Sequence, residues 1–455
     1  MSVVERWVVA CAAAFTVIGA VPVGAQRAPV AGEVAFEMYT LPNGLEVVLA
    51  PDRSVPVVAV DVWYHVGAAN EREGRTGFAH LFEHMMFQGS ANVAKGEHMQ
   101  LVERAGGNMN GTTGSDRTNY FQTLPAHQLP LGLWLEADRM RSLAVTQENL
   151  DNQREVVKEE RRMRVDNAPY GVSIRSAIST VPYSAEGCFA YGHEGIGSME
   201  DLDAARLEDV QNFFRTYYAP NNATLTIVGD FDDAEARRLV ERHFGSIPAG
   251  PAIPQVECPD PFSHLPVRKT FEDTNANLPA VFLTFGLPSA REPDVPALRL
   301  LAAILADGES SRLNQKLVRE EQAAVQVLNF ADFRRGPGVL VVGAISNQGV
   351  EAARLEELLE EEFSRVRETG VTAEELEKVK NQYRSRSIRA LQTALGTAEA
   401  LQEANFLYGE PSALRSEMER TLAVTLEDVQ RVARQYLNPQ NRSVVVTEPT
   451  TAAEE

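Results

Sequence analysis

The 455 residues are long enough for two or three domains, and a composition of 44% hydrophobic and 23% charged residues can bury a substantial core without covalent staples. A formal charge of −20 excludes nucleic acid as a partner, because no local basic patch overcomes the field of the whole. The same acidity slightly favours basic or neutral peptides.

Arg6 precedes an apolar run from Trp7 to Val23, and Val23-Gly24-Ala25 is a small-residue cleavage pattern. Residues 1–25 therefore read as a signal peptide cut after Ala25, and the mature chain as periplasmic or secreted. The alternative is an uncleaved anchor, since Trp7 to Ala25 is about long enough to cross a bilayer and Glu5 offsets Arg6. No comparable apolar run follows, so no membrane span is expected in the mature chain. Cys11 leaves with the signal, and the sequence leaves open whether Cys188 and Cys258 pair. Two cysteines cannot build a zinc ribbon, which leaves histidine and carboxylate as the ligands for any metal.

After a lead-in over 26–35, M-Y-T-L and L-E-V-V-L flank Pro42-Asn43-Gly44, a hairpin signal. A second strand pattern runs to Val66, and a glycine-bearing loop from Gly67 to Gly77 leads into F-A-H-L-F-E-H-M-M-F. On a helix, His80, Glu83 and His84 of this H-x-x-E-H share one face. Two neutral imidazoles on one side suit Zn²⁺, which needs one more protein ligand to leave a water position open, with Glu83 beside it as general base.

A helix from about Gly96 to Arg104 ends at Ala105-Gly106-Gly107. The polar stretch from Asn108 to Phe121 then reads as an edge strand to which an extended peptide can add, making Asn108 and Asn110 candidate substrate-binding residues. Helical periodicity resumes from His127 to Leu143 and from Gln147 to about Val165. The second of these helices is the source of a third ligand, and composition leaves Glu155, Glu159 and Glu160 open. The remaining histidines, His65, His98, His127, His193, His243 and His264, are scattered and carry no assigned role.

The chain repeats itself. L-E-D-V-Q-N-F-F-R-T-Y-Y-A-P-N-N-A-T-L-T-I-V from Leu207 recurs as L-E-D-V-Q-R-V-A-R-Q-Y-L-N-P-Q-N-R-S-V-V-V from Leu426. Two similar α+β domains in tandem are expected, over 36–246 and 271–447, joined by a Pro-rich linker over 247–270 and followed by a tail over 448–455. Where the second copy should carry the metal helix it reads L-R-L-L-A-A-I-L-A-D-G, so only the first domain keeps the chemistry.

V-G-A-A-N-E-R-E-G-R-T-G-F-A-H-L-F-E-H-M-M-F-Q-G-S, N-M-N-G-T-T and F-R-T-Y-Y-A-P-N-N-A-T-L-T-I-V-G-D-F together resemble the pitrilysin/insulinase family of inverted zinc peptidases. Within it they are most similar to the branch of mitochondrial processing peptidase and its bacterial relatives. The resemblance covers nearly the whole chain from Phe36 to about Val446. It implies two domains, each a mostly antiparallel sheet covered by helices, facing each other around a peptide chamber. It implies one Zn²⁺ per chain on His80, His84 and Glu160, with Glu83 as base and peptides as substrates. Gln153 stands where members usually carry another glutamate. Members also direct an arginine and a tyrosine from a second domain toward the substrate. Arg319 matches that arginine, but the tyrosine position is Gln326, which cannot stack or ionise as a phenol does. The chain is thus expected to be the zinc-bearing subunit of a homodimer or of a heterodimer with a paralogue; the alternative is a non-catalytic scaffold of the same fold.

Overall fold

The computed structural model describes residues 34–450. The expected signal peptide, most of the lead-in and the last five residues of the tail lie outside that range. Among the described residues no helix is long and apolar enough to cross a membrane.

The first half runs β1 (Glu37–Thr40), β2 (Glu46–Pro51), β3 (Val57–Tyr64), α1 (Phe78–Met85), α2 (Glu97–Arg104), β4 (Asn108–Thr113), β5 (Thr118–Pro125), α3 (Leu129–Ser142), α4 (Gln147–Arg161), α5 (Gly171–Ile178), α6 (Met199–Ala204), α7 (Leu207–Tyr217), β6 (Ala223–Gly229) and α8 (Asp233–Phe244). The second runs β7 (Val267–Asp273), β8 (Ala280–Ser289), α9 (Val295–Ala306), β9 (Ala324–Asp332), β10 (Pro337–Ser346), α10 (Ala352–Thr369), α11 (Ala373–Ala390), α12 (Ala394–Tyr408), α13 (Ala413–Ala423), α14 (Leu426–Tyr436) and β11 (Arg442–Pro449).

The strands form two sheets with one topology. The first is ordered β1-β2-β6-β3-β5-β4 and the second β7-β11-β8-β10-β9. In each, the opening strand of the shared pattern pairs in parallel with the last, β2 with β6 and β7 with β11, and the other neighbours run antiparallel. The repeated sequence lands on α7-β6 and α14-β11. The fold is α+β, as expected.

Each sheet carries its own helical layer on one face and a borrowed helix on the other. α12, from the second half, packs on β3 and β6 of the first sheet, burying Ala398 and Leu401 against Val48, Ala59 and Val228. α5, from the first half, packs on β11 and β8 of the second sheet, placing Ala177 against Phe282 and Val445. Covered on both faces, β3 reads as a nearly unbroken apolar run. The α12 contact is also polar: Gln402 donates to the carbonyls of Asp61 (3.2 Å) and Thr224 (2.8 Å).

Asn108 to Phe121 departs from the expectation of a single edge strand. A turn at 114–117 folds it into the hairpin β4-β5, so that only β4 lies at the edge and Phe121 belongs to an interior strand. The tip of that hairpin meets the equivalent tip of the second sheet, where Asp116 accepts from the Arg335 backbone N–H (2.9 Å) and from the Tyr191 hydroxyl (2.6 Å). Cys188 and Cys258, left open by the sequence, are joined in a disulfide.

Candidate metal centre

α1 is short but strongly anchored. Phe78, Ala79, Leu81, Phe82 and Met85 are buried in the first core, which turns His80, Glu83 and His84 to the opposite side. Its N-cap is Gly77 at φ 84°, which offers no side chain to the first amides. Glu71 takes that role from six residues upstream, accepting from the N–H groups of Gly77 and Ala79 at 2.8 Å each.

α4 is capped by Thr146, which accepts from the Asn149 N–H, and it buries Leu150, Gln153 and Val157. The next turn places Glu160 against α1. Glu160 Oε2 lies 3.6 Å from His80 Nε2 and 3.2 Å from His84 Nε2, while Oε1 accepts from Arg164 at 2.7 Å. Tetrahedral zinc with bonds of about 2.0–2.2 Å separates its ligand atoms by roughly 3.3–3.5 Å, so this donor set fits the ion. Glu155 and Glu159 point elsewhere, pairing with Lys158 and Arg162 at the surface. Burial, aided by neighbouring His84, lowers the His80 pKa to about 4, which favours the neutral imidazole a metal requires.

These groups open into a cavity of about 800 Å³. Glu83 lines it, and its carboxylate makes no hydrogen bond or ion pair among the described residues. β4 and its turn supply the segment from Asn110 to Ser115, α5 supplies Arg175, and the second half supplies Phe330, Asp332 and Arg334. Arg334 is buried, paired with Asp332 at 2.6 Å and set beside the rings of Tyr183 and Tyr191.

The structure does not bring every candidate together. Asn110 lines the cavity, whereas Asn108 opens β4 outside its lining. Arg319 pairs with Glu309 (2.7 Å) and, with Gln326, lines a separate cavity of about 610 Å³. The cause is strand direction: Gln326 and Asp332 lie near opposite ends of β9, roughly 20 Å apart on an extended chain.

His193, unassigned from the sequence, belongs to the site. It lines the cavity and contacts Glu71 through Nε2 (2.9 Å) and the Phe189 carbonyl through Nδ1 (2.8 Å). Burial works against its charge, but the hydrogen bond and charge of Glu71 prevail and raise its pKa. Nothing in the sequence pointed to it, since no spacing relates it to Glu71.

A model of the insulinase family, peptidase family M16, matches residues 46–177, and one of the peptidase M16 inactive domain matches 204–383. The chain is 30% identical over 416 residues to the zinc protease PqqE of Helicobacter pylori, spanning 91% of this chain and 93% of that one. The crystal structure of a protease from Helicobacter pylori superposes with a TM-score of 0.86 at 29% identity, covering 92% of this chain and all of the other. The periplasmic protease PqqL of Escherichia coli shares the fold at 19% identity and a TM-score of 0.70, with this chain spanning 47% of its length. With its two similar sheets, one furnished with a histidine-glutamate cluster and one without, the chain belongs to the insulinase family of peptidases, M16.

Proposed function

We propose that this protein is an exported zinc endopeptidase acting on short or unfolded peptides. The observation that carries the proposal is the convergence of His80, His84 and Glu160 at zinc-ligand distances beside an unpaired Glu83 in one cavity. His80, His84 and Glu160 hold one zinc, which when bound supplies Lewis acidity and lowers the pKa of water toward neutrality. Glu83 takes the proton of the attacking water and returns it to the leaving amine. β4 is the edge strand of its sheet and lines the cavity, so a peptide lies on it extended through main-chain bonds, and side-chain specificity is loose. The disulfide supports an oxidising compartment. A second subunit, identical or paralogous, completes the chamber; that PqqL carries such a fold in about half of one longer chain supports this.

The test is cleavage of quenched-fluorescence peptides by the purified chain, with zinc counted on the same sample. Chelator-sensitive turnover is expected, and Glu83→Gln should keep zinc while losing about 10²–10⁴ in kcat. Zinc without turnover, even with a paralogue added, would favour the scaffold role, and retained turnover in Glu83→Gln would refute that base.

A further inference from the structure

The loop from Gly192 to Ser198 touches both helices that carry the cluster. Against α1, Gly77 and Gly197 approach so closely that a Cβ on Gly77 would lie 2.8 Å from Gly197 Cα. Ser198 donates its backbone N–H to Thr76 Oγ1 at 3.1 Å. Against α4, Arg161, next to Glu160, donates through Nη1 to Glu194 (2.6 Å) and to the Gly197 carbonyl (2.8 Å). His193 closes the arrangement from within: its side chain is 8% exposed, and that of Glu71 is fully buried. The Phe189 carbonyl can only accept, so Nδ1 must donate to it. Burial raises the Glu71 pKa, but the two amides it accepts at the positive end of α1 pull the other way and favour its carboxylate form, so Nε2 donates as well. With both nitrogens donating, neither is left to exchange protons with a substrate.

We propose that His193 is a positioning residue for the metal cluster: as an imidazolium it holds the Glu71 carboxylate across the first amides of α1 and so sets the two histidines against Glu160. This deepens the peptidase proposal and rests on the metal site assigned there. Its logic is that of groups behind metal ligands, whose loss typically costs 10–100-fold in affinity or activity.

The test measures zinc affinity by competition with a chromophoric chelator, together with kcat and KM on a quenched peptide at saturating zinc, for wild type, His193→Ala and His193→Gln. Alanine should weaken zinc binding at least tenfold and lower kcat with KM within about twofold. Glutamine keeps one donor for Glu71 and should recover part of both losses. Zinc affinity within twofold of wild type in a folded alanine variant would overturn the positioning role, as would a glutamine variant no better than alanine. If the alanine variant does not fold, the glutamine variant decides alone: a threefold or greater loss of affinity supports the role and an unchanged affinity overturns it. A wild type that binds no zinc overturns the metal site itself, so the two failures are distinguishable.

Discussion

At the residue scale, burial decides protonation. His65 sits between Thr224, 3.1 Å from its Nε2, and the ring of Phe406 from the borrowed helix α12. Burial lowers its pKa to about 4, with Glu46 opposing and Arg335 adding to the shift. The unfolded chain binds the proton near pH 6.5 and the folded chain only near 4. Stability is therefore full above about 6.5 and falls as the pH drops between the two values, by about 2 kcal/mol at pH 5. Urea unfolding at pH 7 and pH 5 should show that loss, and His65→Gln should lack this part of it. Parallel pH dependences in the two proteins would show that His65 does not titrate in this way. None of this was legible in the sequence, where His65 looks like any polar residue ending a strand.

At the scale of elements, β4 is the informative one. Its composition, Asn-Met-Asn-Gly-Thr-Thr, suits an edge that must stay open yet not aggregate, and the structure places it last in the sheet order and along the cavity. If the peptide binds by strand addition, its backbone matters more than its side chains. N-methylation of two amides in a good substrate, each losing a bond of about 1 kcal/mol, should raise KM roughly 30-fold. Side-chain changes at the same positions should move it only about threefold. The reverse ranking, measured on matched peptides, would exclude strand addition. The edge character was readable from composition, but the turn at 114–117 that makes β5 an interior strand was not.

At the scale of the whole molecule, the two halves are tied by exchanged helices and by the meeting hairpin tips, and Cys188–Cys258, whose members are 70 residues apart, fastens the linker to the first half. Closing a loop of that length removes about 4 kcal/mol of chain entropy from the unfolded state. The Cys188→Ser, Cys258→Ser variant should unfold at correspondingly lower denaturant, and so should wild type treated with a non-chelating phosphine reductant. An unchanged midpoint in both would show that the bond adds nothing to stability. The segment it secures runs on from Cys188 through Tyr191 and His193 to Gly197, so the tether and the loop that lies against α1 and α4 share one stretch of backbone.

The sequence by itself determined the repeated α+β architecture and the placing of two histidines and a glutamate on one helical face. Both are written in local periodicity and in self-similarity, which need no knowledge of the rest of the chain. Tertiary structure decided what depends on distant partners. It turned Glu160 rather than Glu155 or Glu159 toward α1, because the burial of Leu150, Gln153 and Val157 sets the rotation of α4. It joined the cysteines, exchanged α5 and α12 between the sheets, and brought Arg334 rather than Arg319 into the cavity through the direction of β9. It also set His193 beside Glu71, a contact across 122 positions, because the approach of two glycines lets one loop lie against the start of a helix.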